Sequence, residues 1–253
     1  MKSKRIHEME QYIKRQKHVT LDELCEMFDV SKNTVRKDVT EIVAQPDFEK
    51  VYGGVEFVES FMPPFEERNQ QALTGKKEIA RRAALEVKER DIIFIDSGTT
   101  TQFIIDYLPE NITLTIVTNS LIVINKAVSM PNVKLIIFGE IYSRNTLSFI
   151  GVGASDVLKK YNIHKAFMAA SAASIASGLS NSDNQEYEIK SSVVSKAKST
   201  YALVDHEKLG SSALVTYAQL DEIDVIITDQ MVPEAYQTFA EENDIQIMIT
   251  NQE

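Results

Sequence analysis

A run of hydroxyl side chains around a single glycine is the feature of this sequence best suited to binding chemistry. It follows the apolar stretch Ile92–Ile95 and reads Asp96-Ser97-Gly98-Thr99-Thr100-Thr101. Hydroxyls donate hydrogen bonds, glycine allows a ligand to approach the backbone closely, and a helix that begins here would direct its free N-H groups at an anion. The run therefore predicts a cradle for a phosphate group.

The same residues permit a purely structural interpretation. Ser, Thr, Asn and Asp side chains after a strand commonly cap the next helix, and this alternative stays open for each loop of this kind. Neither GxxxxGK(S/T) nor GxGxxG occurs in the sequence. Their absence argues against nucleoside triphosphates and dinucleotides as ligands.

Polar residues and one glycine also follow other apolar stretches that resemble strands. They are Thr118, Asn119, Ser120, Gly139, Asp205 and Lys208. Lys208 could neutralise a phosphate, and Asp205 could bind sugar hydroxyls. Because parallel sheets bind ligands at the carboxyl ends of their strands, we expect these residues to join the glycine-containing run in one site.

A second group of residues, near the start of the chain, is suited to contacts with DNA. It combines short polar side chains with cations at one helix start, namely Ser31, Lys32, Asn33, Thr34, Arg36 and Lys37. Such a helix can read base edges in the major groove, and a following hairpin with Lys50 and Tyr52 would act as a wing. A three-helix bundle with a solvated basic face, or a protein-docking module, is the alternative.

The N-terminal elements that would position these side chains are marked by helix signals. Ile6, Met9 and Ile13 have helical spacing, and Thr20 with Glu23 forms a capping box for a second helix. Ser31 caps a third helix, and Gly53-Gly54 predicts the turn of a hairpin.

The rest of the chain alternates apolar stretches with helical segments. Expected strands are 92–95, 114–117, 133–138, 165–170, 201–204, 225–228 and 245–249, and expected helices between them are 101–108, 121–130, 186–198 and 233–242. Strands that are apolar on both faces indicate a parallel sheet covered by helices on both sides. We predict a DNA-binding domain over 1–57, a linker over 58–74 around Pro63-Pro64, and an α/β effector domain over 75–253.

Composition narrows the class of protein. The 253 residues carry a formal net charge of -10, and the first fifty balance 10 basic against 10 acidic residues, so DNA contact must be local. The single cysteine excludes an intramolecular disulfide. The four histidines are scattered along the sequence, so we expect no metal site. No apolar stretch approaches the length of a membrane span, so we expect a cytoplasmic protein with no membrane partner and no cofactor.

Two longer patterns resemble a known family. The run from Val30 to Val39, followed by Tyr52-Gly53-Gly54-Val55, resembles the winged helix-turn-helix signature of the DeoR family of bacterial transcriptional regulators. Most of residues 65–230 resembles the effector domain of that family, through Phe65-Glu66-x-Arg68, Lys76-x-x-Ile79-Ala80, the run from Asp96 to Thr101, Thr118-Asn119-Ser120, Gly151, Glu186-x-x-x-Lys190 and Asp205-x-x-Lys208-x-Gly210. The resemblance implies a sugar-phosphate sensor on a fold similar to ribose-5-phosphate isomerase, and it adds Glu186 and Lys190 to the effector site.

These observations favour a DNA-binding regulator, a repressor of a carbohydrate-utilisation operon controlled by a phosphorylated sugar or related metabolite. We expect a homo-oligomer, a dimer or tetramer, because such DNA readers bind repeated half-sites. No catalytic residue is expected. The alternative is a sugar-phosphate isomerase with an accessory DNA-binding module, for which Asp96, Glu140, Glu186 and Asp205 could supply the carboxylate base.

Overall fold

The chain divides between Pro63 and Pro64 into two units. The computed structural model describes residues 2–43, 48–57, 63–151 and 153–250. Residues 58–62 of the predicted linker, 152 and 251–253 of the predicted effector domain, and 1 and 44–47 of the predicted DNA-binding domain lie outside the described ranges.

The first unit combines three helices with a small antiparallel sheet. The helices are α1 Lys2–Gln16, α2 Leu21–Phe28 and α3 Lys32–Ile42, and the strands are β1 His18–Thr20, β2 Phe48–Val51 and β3 Gly54–Phe57. The sheet order is β1-β3-β2. Helices α2 and α3 with the β2–β3 hairpin form the winged helix-turn-helix that the sequence predicts, and β1 is an additional strand.

The predicted cap signals fix the helix starts in this unit. Thr20 Oγ1 accepts from the Glu23 backbone N, and Glu23 Oε2 accepts from the Thr20 backbone N at 2.7 Å, so the capping box is confirmed. Ser31 Oγ accepts from the Thr34 backbone N at 3.3 Å. Between α2 and α3 the chain turns at Asp29, whose φ of 49° is left-handed.

The core of the first unit is formed by one apolar face from each helix and by the sheet. Its buried members are Met9, Ile13, Val19, Leu24, Val35, Val39, Ile42, Phe48 and Val55. Close packing also requires Gly54, because a Cβ there would lie 2.4 Å from the Val19 carbonyl oxygen. The polar side of α3 is thereby left facing solvent.

The second unit is an α/β domain. Its helices are α4 Phe65–Gln70, α5 Leu73–Ala84, α6 Leu121–Ala127, α7 Ala154–Leu158, α8 Tyr187–Val194 and α9 Glu234–Glu242. Its strands are β4 Ile92–Ile95, β5 Leu114–Thr118, β6 Val133–Ile137, β7 Ile141–Ser143, β8 Ser148–Ile150, β9 Lys165–Ala169, β10 Ala172–Ser174, β11 Gly178–Asn181, β12 Ser199–Leu203, β13 Val215–Ala218, β14 Val225–Thr228 and β15 Gln246–Ile249. Short 3-10 turns cover Thr101–Tyr107, Asn184–Glu186, His206–Lys208 and Leu220–Glu222.

Seven of these strands form one parallel sheet in the order β15-β14-β12-β9-β4-β5-β6. Successive residues contribute to cores on opposite faces: Ile93 and Ile95 pack with α5, whereas Phe94 packs with α8 residues. This alternation explains why apolar residues follow one another directly in these strands. The predicted parallel sheet is confirmed, with each expected strand present.

The structure differs from the sequence prediction at α4, which lies within the predicted linker. Phe65 is buried, and α4 belongs to the second unit. The Pro63-Pro64 pair restricts only the residue before each proline, and Pro64 itself stands at the helix start, where proline is well tolerated. The expected helix over 101–108 is a 3-10 helix.

Two small antiparallel sheets were absent from the sequence prediction. One pairs β7 with β8, and the other has the order β10-β11-β13. Strands β10 and β11 read Ala-Ala-Ser and Gly-Leu-Ser-Asn, so they lack the β-branched and aromatic residues that mark strands in a sequence.

Candidate functional site

Helix α3 presents the predicted DNA-contacting residues on one side of the first unit. Lys32, Asn33, Arg36 and Lys37 are exposed, whereas Val35 is buried beneath them. Ser31 lies at the N-cap, and Thr34 is half-buried beside it, with the two hydroxyl oxygens 3.0 Å apart. The structure therefore brings all six residues of this group together at the start of one helix.

The cations on α3 are not equivalent. Lys32 Nζ lies 2.6 Å from Asp22 Oδ1 on α2, and both side chains are exposed. This ion pair partly neutralises Lys32 and ties the two helices of the motif together. Arg36 and Lys37 are one helical turn further along and carry their charge toward solvent.

The two predicted wing residues lie on the hairpin. Lys50 is exposed on β2, and Tyr52 is fully exposed at the two-residue turn between β2 and β3. Gly53 completes that turn with a φ of 79°, a conformation that glycine adopts without strain. The tip thus presents an aromatic ring with a nearby ammonium group.

In the second unit, the loop after β4 is anchored by a buried ion pair. Lys190 Nζ on α8 donates to Asp96 Oδ2 at 2.5 Å and to the Ala169 carbonyl at 2.8 Å, and it lies 5.0 Å from the centre of the Tyr217 ring. The same Asp96 oxygen accepts from the Ala169 backbone N at 2.9 Å. Asp96 and Lys190 therefore fasten the loop to β9.

A second buried contact holds the next residue of the loop. Ser97 Oγ donates to Glu186 Oε1 at 2.7 Å, and Asn181 Nδ2 donates to Glu186 Oε2 at 2.7 Å. Burial raises the pKa of Glu186, while the nearby ammonium of Lys190 opposes that rise. Glu186 thus links the loop after β4 to the end of β11.

The threonines of this loop have different surroundings. Thr101 Oγ1 lies 2.8 Å from the Asp96 carbonyl oxygen, to which it can donate, and the Thr99 carbonyl accepts from Gln102 Nε2 at 2.9 Å. Thr100 Oγ1 is buried and has no hydrogen-bond partner within the described residues. Only Thr100 in this loop combines full burial with an unused hydroxyl.

Two predicted site glycines are required by packing within the protein. A Cβ on Gly98 would lie 2.1 Å from the Ala169 Cβ. Gly139 has a φ of 96°, and a Cβ there would lie 2.6 Å from the Phe149 carbonyl oxygen. Each glycine allows another segment of the chain to approach closely, whatever ligand binds nearby.

The residues after β5 also divide between structural contacts and unused groups. Thr118 Oγ1 donates to the Ile95 carbonyl at 2.7 Å, and Ser120 Oγ caps α6. Asn119 Nδ2 donates to the Phe149 carbonyl at 3.0 Å, but Asn119 Oδ1 is buried without a hydrogen-bond partner among the described residues. The capping alternative therefore describes Ser120, and Asn119 retains a free acceptor.

Beyond β12, Lys208 stands among other cations. Its Nζ lies 3.5 Å from Asp205 Oδ2. Burial lowers the pKa of Lys208, and the charges of Arg68 and Lys190 lower it further, whereas Asp205 opposes the shift. Burial and the neighbouring positive charges therefore both disfavour the charged form of Lys208 at this end of the sheet.

Arg68 and Lys76 belong to the same group of cations. In the sequence, these two residues only match motifs of the family and are not among the predicted site residues. Lys76 is buried, its Nζ donates to the Arg68 carbonyl, and its pKa is lowered to about 8, first by burial and then by the charge of Lys208. Burial also lowers the pKa of Arg68. Arg68 was overlooked because it falls in the stretch interpreted as linker.

The unused buried oxygens lie at one edge of the sheet. They are Thr100 Oγ1, Asn119 Oδ1, Asp205 Oδ2, Thr228 Oγ1 and Thr250 Oγ1, none of which has a hydrogen-bond partner in the described part of the chain, although Asp205 Oδ2 forms the 3.5 Å ion pair with Lys208. They follow or end β4, β5, β12, β14 and β15, so all lie at the carboxyl ends of strands in the parallel sheet. Buried polar atoms without partners are uncommon in proteins, and a bound polar ligand would satisfy them.

Both units match known domain families. Residues 5–61 match the DeoR-like helix-turn-helix domain, and residues 71–230 match the DeoR C-terminal sensor domain. The chain belongs to the DeoR family. It is a DNA-binding transcriptional regulator, as the resemblance in the sequence indicated.

Three transcriptional regulators are similar to this protein along nearly the whole chain. The HTH-type transcriptional regulator IolR of Bacillus subtilis is 46% identical over 248 residues, which cover 98% of this chain and 99% of that protein. The glycerol-3-phosphate regulon repressor of Escherichia coli is 27% identical over 237 residues, covering 93% and 94% of the two chains. The HTH-type transcriptional repressor GlcR of B. subtilis is 25% identical over 244 residues, covering 96% and 94%.

Solved structures give a more distant likeness. Ribose 5-phosphate isomerase A of Methanocaldococcus jannaschii is 20% identical, with a TM-score of 0.38 over 53% of each chain. A likeness of this size says nothing about a shared reaction. No helix within the described ranges is both long and apolar enough to cross a membrane.

Proposed function

We propose that this DeoR-family regulator represses genes of carbohydrate utilisation and is controlled by a phosphorylated sugar or related metabolite. The metabolite would bind at the carboxyl ends of β4, β5 and β12. The observation that carries this proposal is a group of cations beside buried oxygens that lack hydrogen-bond partners: Lys76 Nζ donates to the Arg68 carbonyl, and the charges of Lys208 and Arg68 lower the pKa of Lys76.

The three cations are suited to a phosphate group. Like charges at close range repel, and the lowered pKa of Lys76 reflects that repulsion as well as burial. A phosphate dianion placed between them would relieve the repulsion and accept several charge-assisted hydrogen bonds. Lys190 contributes differently, because its ammonium is already occupied by Asp96 and the Ala169 carbonyl.

The buried oxygens are suited to the sugar. Asn119 Oδ1 can only accept hydrogen bonds, and so can Asp205 Oδ2, which also forms the ion pair with Lys208; both oxygens favour the hydroxyls of a ligand as donors. Thr100 Oγ1 can donate or accept. Ser97, Glu186, Asp96 and Lys190 would act by holding the loop that presents Thr100.

We infer that α3 enters the major groove of operator DNA, with Arg36 reading base edges and Lys37 contacting phosphates. Lys50 and Tyr52 on the wing would contact the backbone beside it. Because the net charge of the chain is -10, affinity would depend on these few cations and fall steeply with salt.

The regulator would act as a homo-oligomer, a dimer or tetramer, on paired half-sites. Effector and operator would favour different arrangements of the oligomer, so binding of one weakens binding of the other. Support for a sugar phosphate comes from the relatives, one of which is the glycerol-3-phosphate regulon repressor of E. coli.

The alternative function is a sugar-phosphate isomerase, and the buried Glu186 is the observation that favours it. A raised pKa is typical of catalytic acids and bases. However, both carboxylate oxygens of Glu186 already accept hydrogen bonds, from Ser97 and Asn181. Asp96 Oδ2 accepts hydrogen bonds from Lys190 and from the Ala169 backbone N.

The variant Lys208→Met distinguishes the two functions. Wild-type protein and variant are titrated with a panel of pentose and hexose phosphates, in an operator-release assay and in a coupled isomerase assay. A regulator shows no turnover, and Lys208→Met requires more metabolite for release. The control is Lys165→Met, since Lys165 pairs with Asp91 at the opposite end of the sheet and should leave the release curve unchanged. Robust turnover by the wild type would overturn the regulator-only proposal.

A further inference from the structure

Asp229, directly after β14, makes two hydrogen bonds to one residue of the turn that carries Lys208. Its Oδ1 accepts from the His206 backbone N at 2.8 Å, and its Oδ2 lies 2.9 Å from His206 Nδ1. Because a carboxylate only accepts, Nδ1 carries the hydrogen in this contact. The start of the His206–Lys208 turn is therefore fixed in both position and orientation.

The same carboxylate packs against the helix that carries Lys76. A Cβ on Gly75 would lie 2.6 Å from Asp229 Oδ2, so α5 and the carboxylate approach as closely as a glycine permits. Gly75 immediately precedes Lys76 in the sequence. Helix α5, which carries Lys76, and the turn that carries Lys208 therefore both contact Asp229.

We propose that Asp229 is a positioning residue that holds the turn of Lys208 against the helix of Lys76, so that both ammonium groups can engage one anion. This inference rests on the proposed effector site. It assigns a role to Asp229 and His206, which neither the sequence patterns nor the unused oxygens had marked as parts of that site.

The physical consequence concerns the charges that face Lys76. These are Lys208, Arg68, Asp205 and Glu207. If the contact with Asp229 is removed, the turn that carries Lys208 moves away from Lys76 together with Asp205 and Glu207, and Lys76 becomes more hydrated. The pKa of Lys76 then rises, because burial and the charge of Lys208 lower it by more than these two carboxylates raise it. Losing the negative charge of Asp229 without such movement would lower that pKa instead. The sign of the change therefore separates positioning from a direct electrostatic effect.

The experiment is an NMR titration of Lys76 in protein labelled with ¹³C-lysine, with the signal assigned by Lys76→Arg. In Asp229→Asn we expect the midpoint of Lys76 to move to higher pH, by roughly half a unit or more. The control is Asp224→Asn at the other end of β14, whose carboxylate accepts from the Thr200 backbone N at 2.6 Å and from Thr200 Oγ1 at 2.9 Å. It should leave the midpoint unchanged.

A second variant covers the case in which Asp229→Asn does not fold. His206→Gln removes the bond to Nδ1 and keeps the one to the backbone, so it should give a smaller shift in the same direction. An unchanged or lowered Lys76 midpoint in the folded variants would overturn the positioning role.

Anion binding gives an independent readout. Sulfate keeps its charge across this pH range, and its stabilisation of the wild type is measured by thermal unfolding, with Lys208→Met as the background for non-specific salt effects. We expect sulfate to raise the unfolding temperature of Asp229→Asn only slightly more than that of Lys208→Met. If the wild type and Lys208→Met respond identically to sulfate, the proposed anion site itself fails, whereas an unshifted Lys76 midpoint refutes only the role of Asp229.

Discussion

Arg5 on α1 donates two hydrogen bonds to Asp38 on α3, from Nε to Oδ2 at 2.7 Å and from Nη2 to Oδ1 at 3.2 Å. Asp38 is buried, with 1% of its surface exposed. It lies on the inner face of the helix whose outer face presents Arg36 and Lys37. This ion pair therefore helps to fix the orientation of α3 and of the side chains on it that are predicted to contact DNA.

Replacing Arg5 should weaken DNA binding without changing base preference. Arg5→Ala leaves the buried carboxylate of Asp38 without this partner, which should destabilise the first unit and let α3 tilt. We expect lower affinity for all DNA sequences alike and a lower unfolding temperature. Arg15→Ala on the same helix is the control, since Arg15 only reaches back to the Gln11 carbonyl in an exposed contact. Equal effects of both variants on DNA affinity would contradict this role of the pair.

Replacing Arg36 should instead relax base preference. If Arg36 makes a bidentate contact to a base, Arg36→Ala should weaken operator binding by about 1 to 3 kcal/mol and reduce discrimination between operator and random DNA. Lys37→Ala should weaken binding to both and lower the salt dependence. Fluorescence anisotropy with the two DNAs at several salt concentrations tests this. Unaltered operator affinity in Arg36→Ala would contradict the placement of α3 in the groove.

The unused hydroxyl of Thr100 predicts opposite effects on stability and binding. Thr100→Val removes a buried oxygen that has no partner in the described chain, so stability should stay constant or rise by about 1 kcal/mol. Metabolite affinity should fall by up to about tenfold, because a hydrogen bond to the ligand is lost. Calorimetry and denaturant unfolding measure the two quantities.

Thr101→Val is the matched control for Thr100, since its hydroxyl lies within hydrogen-bond distance of the Asp96 carbonyl. That variant should lose stability. Ser97→Ala should also act through the structure, by removing the hydrogen bond to Glu186. Unchanged metabolite affinity in Thr100→Val would mean that the loop serves only to begin its 3-10 helix.

The lowered pKa of Lys76 predicts two pH effects of opposite sign. Between about pH 8 and 10.5 the unfolded chain holds a proton on Lys76 that the folded chain has released, so folding stability should rise with pH across this window. The full change would be on the order of 2 to 3 kcal/mol. Metabolite affinity should fall over the same window, by up to about tenfold per pH unit, because the phosphate requires the charged amine.

The variant Lys76→Met isolates these pH effects from those of other groups. The difference in unfolding free energy between wild type and variant, measured from pH 7 to 10, should grow in favour of the wild type. A difference that stays constant with pH would show that Lys76 keeps its proton in the folded protein.

The local sequence was sufficient to predict most of the helices and strands. The strand Ile92–Ile95 is apolar at every position, and Val225–Thr228 is apolar up to its final threonine, because both faces of a parallel sheet are covered. The caps at Thr20 and Ser31 involve partners only three residues away, so they too can be read directly from the chain. Helix α4 and the Ala- and Ser-rich strands β10 and β11 carry no such local signal.

The sequence by itself therefore determined the two-part architecture, the polar face of α3 and the position of polar loops after the parallel strands. Only the tertiary structure decided which of those polar groups are available to a ligand. Ser97 donates to Glu186, which is 89 residues away in the sequence, and Lys190 donates to Asp96, which is 94 residues away. Thr100 Oγ1 has no hydrogen-bond partner in the described chain. Hydrogen-bond partners are set by which strands lie side by side, and that order is a property of the folded sheet.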